Sequence, residues 1–429
     1  MDSLRTRIVT PRSFQPPAAA GSEAETPADA KTPEGQLRLA RYAQIVQRLQ
    51  QEADALGSDV MVTAQDREVS LAQSKMAEEA AVAQQLPSGG QEVQFGTGVG
   101  GGDWFRWVWS LTDWVDRNQA HPIVRPTSNV PDKLAGDLRV ALAADWGTGL
   151  YGAPKIANQM RELAKNKKFD IAMHLGDVYY SGTEKETDAR FIQVWPTEAA
   201  TVNRALNGNH EMYSGGFGYF KLILPKLGQT SSYFAMQNEN WLLVGLDTAY
   251  VDHDMDNTQV AWLSMVVNQA GSRNLAFFSH QQLFSRLDSQ GPKLQKALKP
   301  WLDDKRITVW YWGHEHQCVI YDAHPQWGLF GRCLGNGGIP EVRNKDVVAA
   351  PVDPGHSQVI KDCSWKRLGA TADSPGCIAL DGRNNDMEDE SDKKKFVPHG
   401  FMTVEFKGKQ LIEKVLLSDG TELYTNTIG

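Results

Sequence analysis

Apolar, strand-like runs in the central part of this 429-residue chain end in residue types that bind metals. Asp145 closes LRVALAAD, Asp177 closes FDIAMHLGD, Asn209 and His210 close NRALNGNH, His280 closes LAFFSH, and His314 and His316 close ITVWYWGHEH. Carboxylates are hard oxygen donors and imidazoles suit divalent transition ions, so the collection offers ligands for more than one kind of cation. Two ions about 3.5–4 Å apart can acidify a shared water and neutralise charge on a phosphoryl group under in-line attack. Each short motif is weak alone, because a histidine after an apolar run is more often a hydrogen-bonded structural residue. Their number and order carry the information.

The elements that must position these residues alternate in character. From Leu138 onward, β-runs are separated by the helical patterns PKIANQMRELAK, VAWLSMVVNQ and PKLQKALKPWL, which is α/β organisation. FMTVEF and LIEKVLLSDGTELY read as a closing hairpin-like pair, and residues 341–398, rich in Asp, Lys, Gly and Pro, read as a loop insertion.

The series Asp-x-Gly, Gly-Asp-x-x-Tyr, Gly-Asn-His-Glu, His and Gly-His-x-His resembles the calcineurin-like metallophosphoesterases over residues 138–340, and its Gly147 and Tyr180 variants resemble their purple acid phosphatase branch. The resemblance implies a four-layer αββα sandwich of two mixed β-sheets, to which helical periodicity adds an N-terminal helical extension. It implies a first metal on Asp145, Tyr180 and His316, a second on Asn209, His280 and His314, and Asp177 bridging both. It implies hydrolysis of phosphate monoesters by a metal-bound hydroxide, with His210 beside the substrate as phosphoryl stabiliser or leaving-group acid. A phenolate ligand at neutral pH needs a strongly charged metal, which points to Fe(III) in the first site and divalent Fe, Zn or Mn in the second. Phe277 departs from the branch's usual Val, and QQLFSRLDSQG after His280 lacks the histidines with which plant-type members hold substrate.

Other polar residues read more plainly. His174 falls mid-strand as a core residue, Asp247 as structural, and Glu315 as pointing away from the metals, while His253 follows a β-run on the side where a pocket belongs.

The rest of the chain bounds the class. A net charge of −8 argues against a polynucleotide-backbone binder, and no apolar run is long enough to span a membrane. Four cysteines without a CxxC pair, and no apolar leader, favour a reduced, cytoplasmic protein. Residues 1–33 read as a disordered tail, 34–102 as a helical extension with the Gly-rich linker GTGVGGG, 103–134 as a Trp-rich docking helix and connection, and 135–429 as the catalytic domain. Helical periodicity recurs over 34–56 and 69–86, and residues 34–117 suit a protein partner.

Three functions fit. A phosphomonoesterase acting on small phosphorylated substrates is favoured. A phosphodiesterase or nucleotide pyrophosphatase would use the same site. A non-catalytic scaffold working through the N-terminal helices is disfavoured, because the ligand set is complete.

Overall fold

The computed structural model describes residues 65–83 and 120–429, plus four isolated positions between 32 and 44. The expected tail, the 34–56 helix, the Gly-rich linker and the Trp-rich docking helix otherwise lie outside those residues.

Two mixed β-sheets form the middle layers. The nine-stranded sheet runs in the order Asp132–Lys133, Phe234–Gln237, Trp241–Gly245, Asn274–Phe278, Ile307–Trp312, Phe330–Leu334, Cys318–Ala323, Cys377–Gly382 and Cys363–Leu368. The six-stranded sheet runs Glu422–Ile428, Gln410–Leu417, Gly400–Lys407, Leu138–Ala143, Phe169–His174 and Ala200–Ala205. Each sheet contains a parallel trio: Leu138–Ala143, Phe169–His174 and Ala200–Ala205 in one, and Trp241–Gly245, Asn274–Phe278 and Ile307–Trp312 in the other. All strands of a parallel trio end at the same edge, so both trios can deliver residues to one place.

Alternation along each strand explains the layering. Val140 and Leu142 face Phe278, Val309 and Tyr311 of the other sheet in the central core, while Ala141 and Ala143 face outward onto Ile156, Ala157 and Met160 of the helix Gly152–Asn166. On the opposite outer face, Leu242, Val244 and Phe277 pack against Leu263 and Val266 of the helix Asn257–Asn268 and Leu294 and Leu298 of the helix Pro292–Asp303. With both faces covered, these strands are near-continuously apolar, which is why they stood out in the sequence. The layers are helix, sheet, sheet, helix, as the family resemblance implied.

Residues 341–398 correct the expectation of a bare loop. They contain the helices Lys345–Ala349 and Glu390–Lys395 and the antiparallel strands Cys363–Leu368 and Cys377–Gly382, which extend the larger sheet through Cys318–Ala323. Cys363, Trp365 and Leu368 are buried while the intervening residues are partly exposed, an edge-strand pattern hidden among Pro- and Gly-rich flanks. The closing run also divides, Gln410–Leu417 pairing with both Gly400–Lys407 and Glu422–Ile428. All four cysteines are buried and unpaired. No helix among the described residues is long and apolar enough to cross a membrane.

One ion pair joins the sheets inside the core. Arg332 donates to both Glu413 carboxylate oxygens at 2.8–3.0 Å, Tyr311 donates to the same carboxylate at 2.8 Å, and the guanidinium also reaches the Tyr321 carbonyl. Arg332 is 1% exposed and Glu413 0%, so removing one partner strands a buried charge. Glu413→Ala should destabilise the protein by about 3–5 kcal/mol in denaturant unfolding, and Arg332→Met with Glu413→Leu should lose much less.

Candidate metal centre

The site forms where the two parallel trios end. Asp145, Asp177 and Asn209 follow strands of the six-stranded sheet, and His280, His314 and His316 follow strands of the nine-stranded sheet. Two groups of three converge, each with ligand atoms mutually within 4.8 Å: Asp177 with His280 and His314, and Asp145 with Asp177 and His316. Both groups are buried and Asp177 belongs to both.

Individual contacts tighten this picture. His280 Nε2 lies 3.1 Å from Asp177 Oδ2, 2.9 Å from Asn209 Oδ1 and 3.3 Å from His314 Nδ1. His316 Nε2 lies 3.5 Å from Asp145 Oδ1. The backbone N–H of His314 donates to Asp145 Oδ2 at 2.8 Å, and that of His210 to Asp177 Oδ1 at 3.0 Å.

Ring hydrogen bonds orient the imidazoles. His280 Nδ1 donates to the Leu175 carbonyl at 2.9 Å, which turns its Nε2 towards Asp177. His316 Nδ1 lies 3.1 Å from Glu341 Oε2, which orients that ring in the same way. His314 turns Nδ1 inward and Nε2 outward, 3.4 Å from Nε2 of His253, whose Nδ1 is 2.7 Å from Asp252. Glu341 and Asp252 lie in loops outside any motif, so only the folded chain reveals them, whereas His253 falls where the sequence placed a pocket.

Electrostatics reflect the crowding of charge. Burial raises Asp145 to about 6 against the pull of His280 and His316. Burial also pushes Asp177 up, but His280, His210 and His314 outweigh it and hold this carboxyl well below the usual range. Burial lowers His280, yet Asp177 and Asp145 carry it to about 9. Burial and the charge of His280 depress His314. Such a cluster of buried carboxylates and imidazoles is the donor set a cation would share.

The two adjacent tyrosines are placed differently. The hydroxyl that reaches the cluster is that of Tyr179, 2.9 Å from Asp145 Oδ1, 2.9 Å from Asp177 Oδ2 and 2.6 Å from His316 Nε2. Tyr180 has its N–H on Glu186 at 2.9 Å, its carbonyl on His210 Nδ1 at 2.5 Å, and its ring under the Arg190 guanidinium beside Ile339. Arg190 also holds the Tyr179 carbonyl at 2.5 Å, which with Glu186 fixes the backbone so that the first ring of the pair turns to Asp145. Two adjacent tyrosines cannot be told apart by spacing alone. Burial, then Asp145 and Asp177, raise the Tyr179 phenol well above its ordinary value.

His210 is fully buried between Tyr179 and Tyr213. Because a carbonyl only accepts, His210 Nδ1 carries the proton it gives to Tyr180, and Nε2 is left 3.9 Å from Asp177 Oδ2 with no hydrogen-bond partner. His174 packs among Trp146, Phe191 and Trp195, Asp247 accepts from Asn207 and the backbone of Tyr250, and Glu315 is held by Trp312 and Ser285 away from the cluster.

The backbone is shaped for this convergence. Asp145, Asp177, His314 and His316 all have φ between 49° and 72°, the left-handed region that costs side-chain-bearing residues energy. Gly208 and Gly313 allow the close approach, since a Cβ would lie 2.0 Å from Asp177 Oδ1 and 2.5 Å from Asp145 Oδ2 respectively. Glu211 ties the two loops together, accepting from the N–H groups of Asp177 (3.2 Å), Val178 (2.9 Å) and Gly208 (2.9 Å).

A family model described as calcineurin-like phosphoesterase matches residues 138–318. Every cluster residue from Asp145 to His316 lies within that stretch. Similar solved structures include a purple acid phosphatase, PPD1, from yellow lupin (Lupinus luteus) seeds, at 15% identity and TM-score 0.49, covering 71% of this chain and 55% of that one. GAP50, the anchor in the inner membrane complex of Plasmodium, aligns at 13% identity and TM-score 0.46 over 69% of this chain and 89% of its own. PhoD aligns at 11% identity and TM-score 0.42 over 70% and 73%. The chain thus spans about half the length of the lupin phosphatase. No curated protein matches.

Glu211→Gln keeps the shape of the strut but turns an amide N–H₂ towards backbone N–H groups. Metal affinity, read by titration with Zn²⁺ or Mn²⁺, should fall about 10- to 100-fold, as for other residues that orient ligand-bearing loops.

Proposed function

We propose that this protein is a binuclear, metal-dependent phosphomonoesterase of the purple acid phosphatase type. The observation that carries the reading is that two three-residue donor groups share one carboxylate, Asp177. In this assignment Asp145, Tyr179 and His316 hold the first cation, Asn209, His280 and His314 the second, and Asp177 bridges them. Tyr179 takes the place that motif spacing gave to Tyr180. The oxygen-rich first group suits Fe(III), and the imidazole-rich second suits divalent Fe, Zn or Mn. Bound there, two cations supply Lewis-acid charge to the phosphoryl oxygens and acidify water.

The chain's own residues do the remaining work. His210 Nε2, without a hydrogen-bond partner among the described residues, faces the site, and the ring would donate from it to the leaving oxygen or the phosphoryl group once a second proton is taken up beside the substrate's negative charge. Glu341 and the Leu175 carbonyl keep ligand rings in the productive tautomer. The net charge of −8 supports a small phosphate ester over a polynucleotide, and faster hydrolysis of p-nitrophenyl phosphate than of its bis ester would agree. Four unpaired thiols support a reducing, cytoplasmic setting.

Asp177→Ala should abolish hydrolysis of p-nitrophenyl phosphate and cost the protein bound metal. A wild-type rate in this variant would remove the bridge and the reading with it. The branch is tested by colour, because a phenolate on Fe(III) gives a visible charge-transfer band. Iron-loaded protein should be purple to pink, Tyr179→Phe should lose the band, and Tyr180→Phe should keep it. The reverse outcome would return the phenolate to Tyr180, and a colourless iron protein would remove the purple acid phosphatase assignment.

A further inference from the structure

The N-terminal segment, which the sequence set apart as a helical extension, reaches the proposed metal centre. Gln65 lies two residues before the start of the helix Arg67–Ala83, and its side chain lies over ligands of both proposed cations. Its Oε1 accepts from Asn209 Nδ2 at 3.2 Å, and its Nε2 stands 3.4 Å from His316 Nε2. The first contact fixes the Asn209 amide with Oδ1 towards His280. The second is at the limit of a hydrogen bond, and His316 Nε2 is already engaged by Tyr179 at 2.6 Å. A cation on His316 would take the lone pair of that nitrogen and leave the Gln65 N–H₂ facing whatever else enters the site.

The segment is seated firmly. Tyr213 donates to the Gln65 carbonyl at 2.6 Å, and Arg67 Nε donates to the Tyr213 carbonyl at 3.0 Å. Ser74 Oγ and Ser181 Oγ meet at 2.6 Å, beside the Tyr179–Tyr180 pair. The run Val69–Ser74 is buried, including the polar Ser70 and Gln73, while Gln65 itself is exposed. A buried anchor with an exposed tip over a site is the arrangement of a pocket wall, because a detachable plug would have to open that buried contact at each turnover.

We propose that Gln65 is a specificity-determining residue of the phosphoesterase site, its side-chain amide donating to a phosphoryl oxygen of the substrate from a segment that stays in place during turnover. The assignment rests on the reading of this site as a metal-dependent phosphoesterase. An amide offers two donors without charge, which suits an anionic oxygen whose charge cations already balance.

Two experiments on the full chain test this. In metal-loaded Gln65→Ala, the affinity for inorganic phosphate, measured by titration calorimetry, should fall about tenfold or more, as expected for losing a hydrogen bond to a charged group. KM for p-nitrophenyl phosphate should rise by a similar factor while metal content holds and kcat changes little. Unchanged phosphate affinity would overturn the proposal, as would loss of metal, which would make Gln65 a support for Asn209 instead. In the second experiment, Ser74→Cys with Ser181→Cys is oxidised to pin the segment, and the native cysteines, all buried, are poorly placed to interfere. Retained activity supports a fixed wall, whereas activity lost on oxidation and restored by reductant would show that the segment must leave. A parent protein with both metals that neither binds phosphate nor hydrolyses p-nitrophenyl phosphate would instead overturn the phosphoesterase reading beneath it.

Discussion

Taking the Asp177 carboxylate out of water is costly unless the surroundings return what hydration gave it. Here the return comes from three directions: the His210 backbone N–H on one oxygen, and the Tyr179 hydroxyl and His280 Nε2 on the other. Those donors sit on both sheets, so satisfying one carboxylate requires both parallel trios to end at the same edge. Asp145 makes a similar demand through the His314 N–H and the Tyr179 hydroxyl. The sandwich is therefore coupled to its site: the two layers are held by apolar packing below and by shared anions above.

Geometry at the strand ends shows the cost of that coupling. Four donor-bearing residues adopt left-handed backbone, each of order 1 kcal/mol or more for a residue with a side chain. Glycines at 208 and 313 let neighbouring backbone pass within contact of the carboxylates. The central core, the two outer faces and the buried Arg332–Glu413 pair supply the stability against which this local strain is set.

Much of this was legible in the sequence because buried parallel strands are continuous apolar runs, and a ligand placed at each C-terminal end is a visible break. Asp145, Asp177, Asn209, His210, His280, His314 and His316 could be picked out that way, and they converge. What could not be read were choices made by tertiary contacts. Tyr179 and Tyr180 are the same residue type one position apart, and the orientation depends on Arg190 and Glu186 reaching back from a later turn. Glu341 acts through His316 from a loop with no motif around it. Cys363–Leu368 is a strand because its edge position covers alternate side chains, a fact about the sheet and not about the run. Gln65 precedes the first cluster residue by a long stretch of chain, and nothing local to it announces chemistry.

The Tyr179 phenol shows how these levels meet. Two carboxylates within 2.9 Å of its oxygen favour the protonated form, as does burial, so the protein alone keeps the proton on. The same two carboxylates are the ones placed to share cations, and a cation between them and His316 would reverse the sign of the local field. The phenol's protonation state would then follow the occupancy of the group it touches: a hydrogen-bond donor while the anions stand alone, and an oxygen ligand were a cation to neutralise them. A deeply buried tyrosine within reach of two carboxylates is thus the contact through which cation occupancy would change the protonation of a neighbouring group.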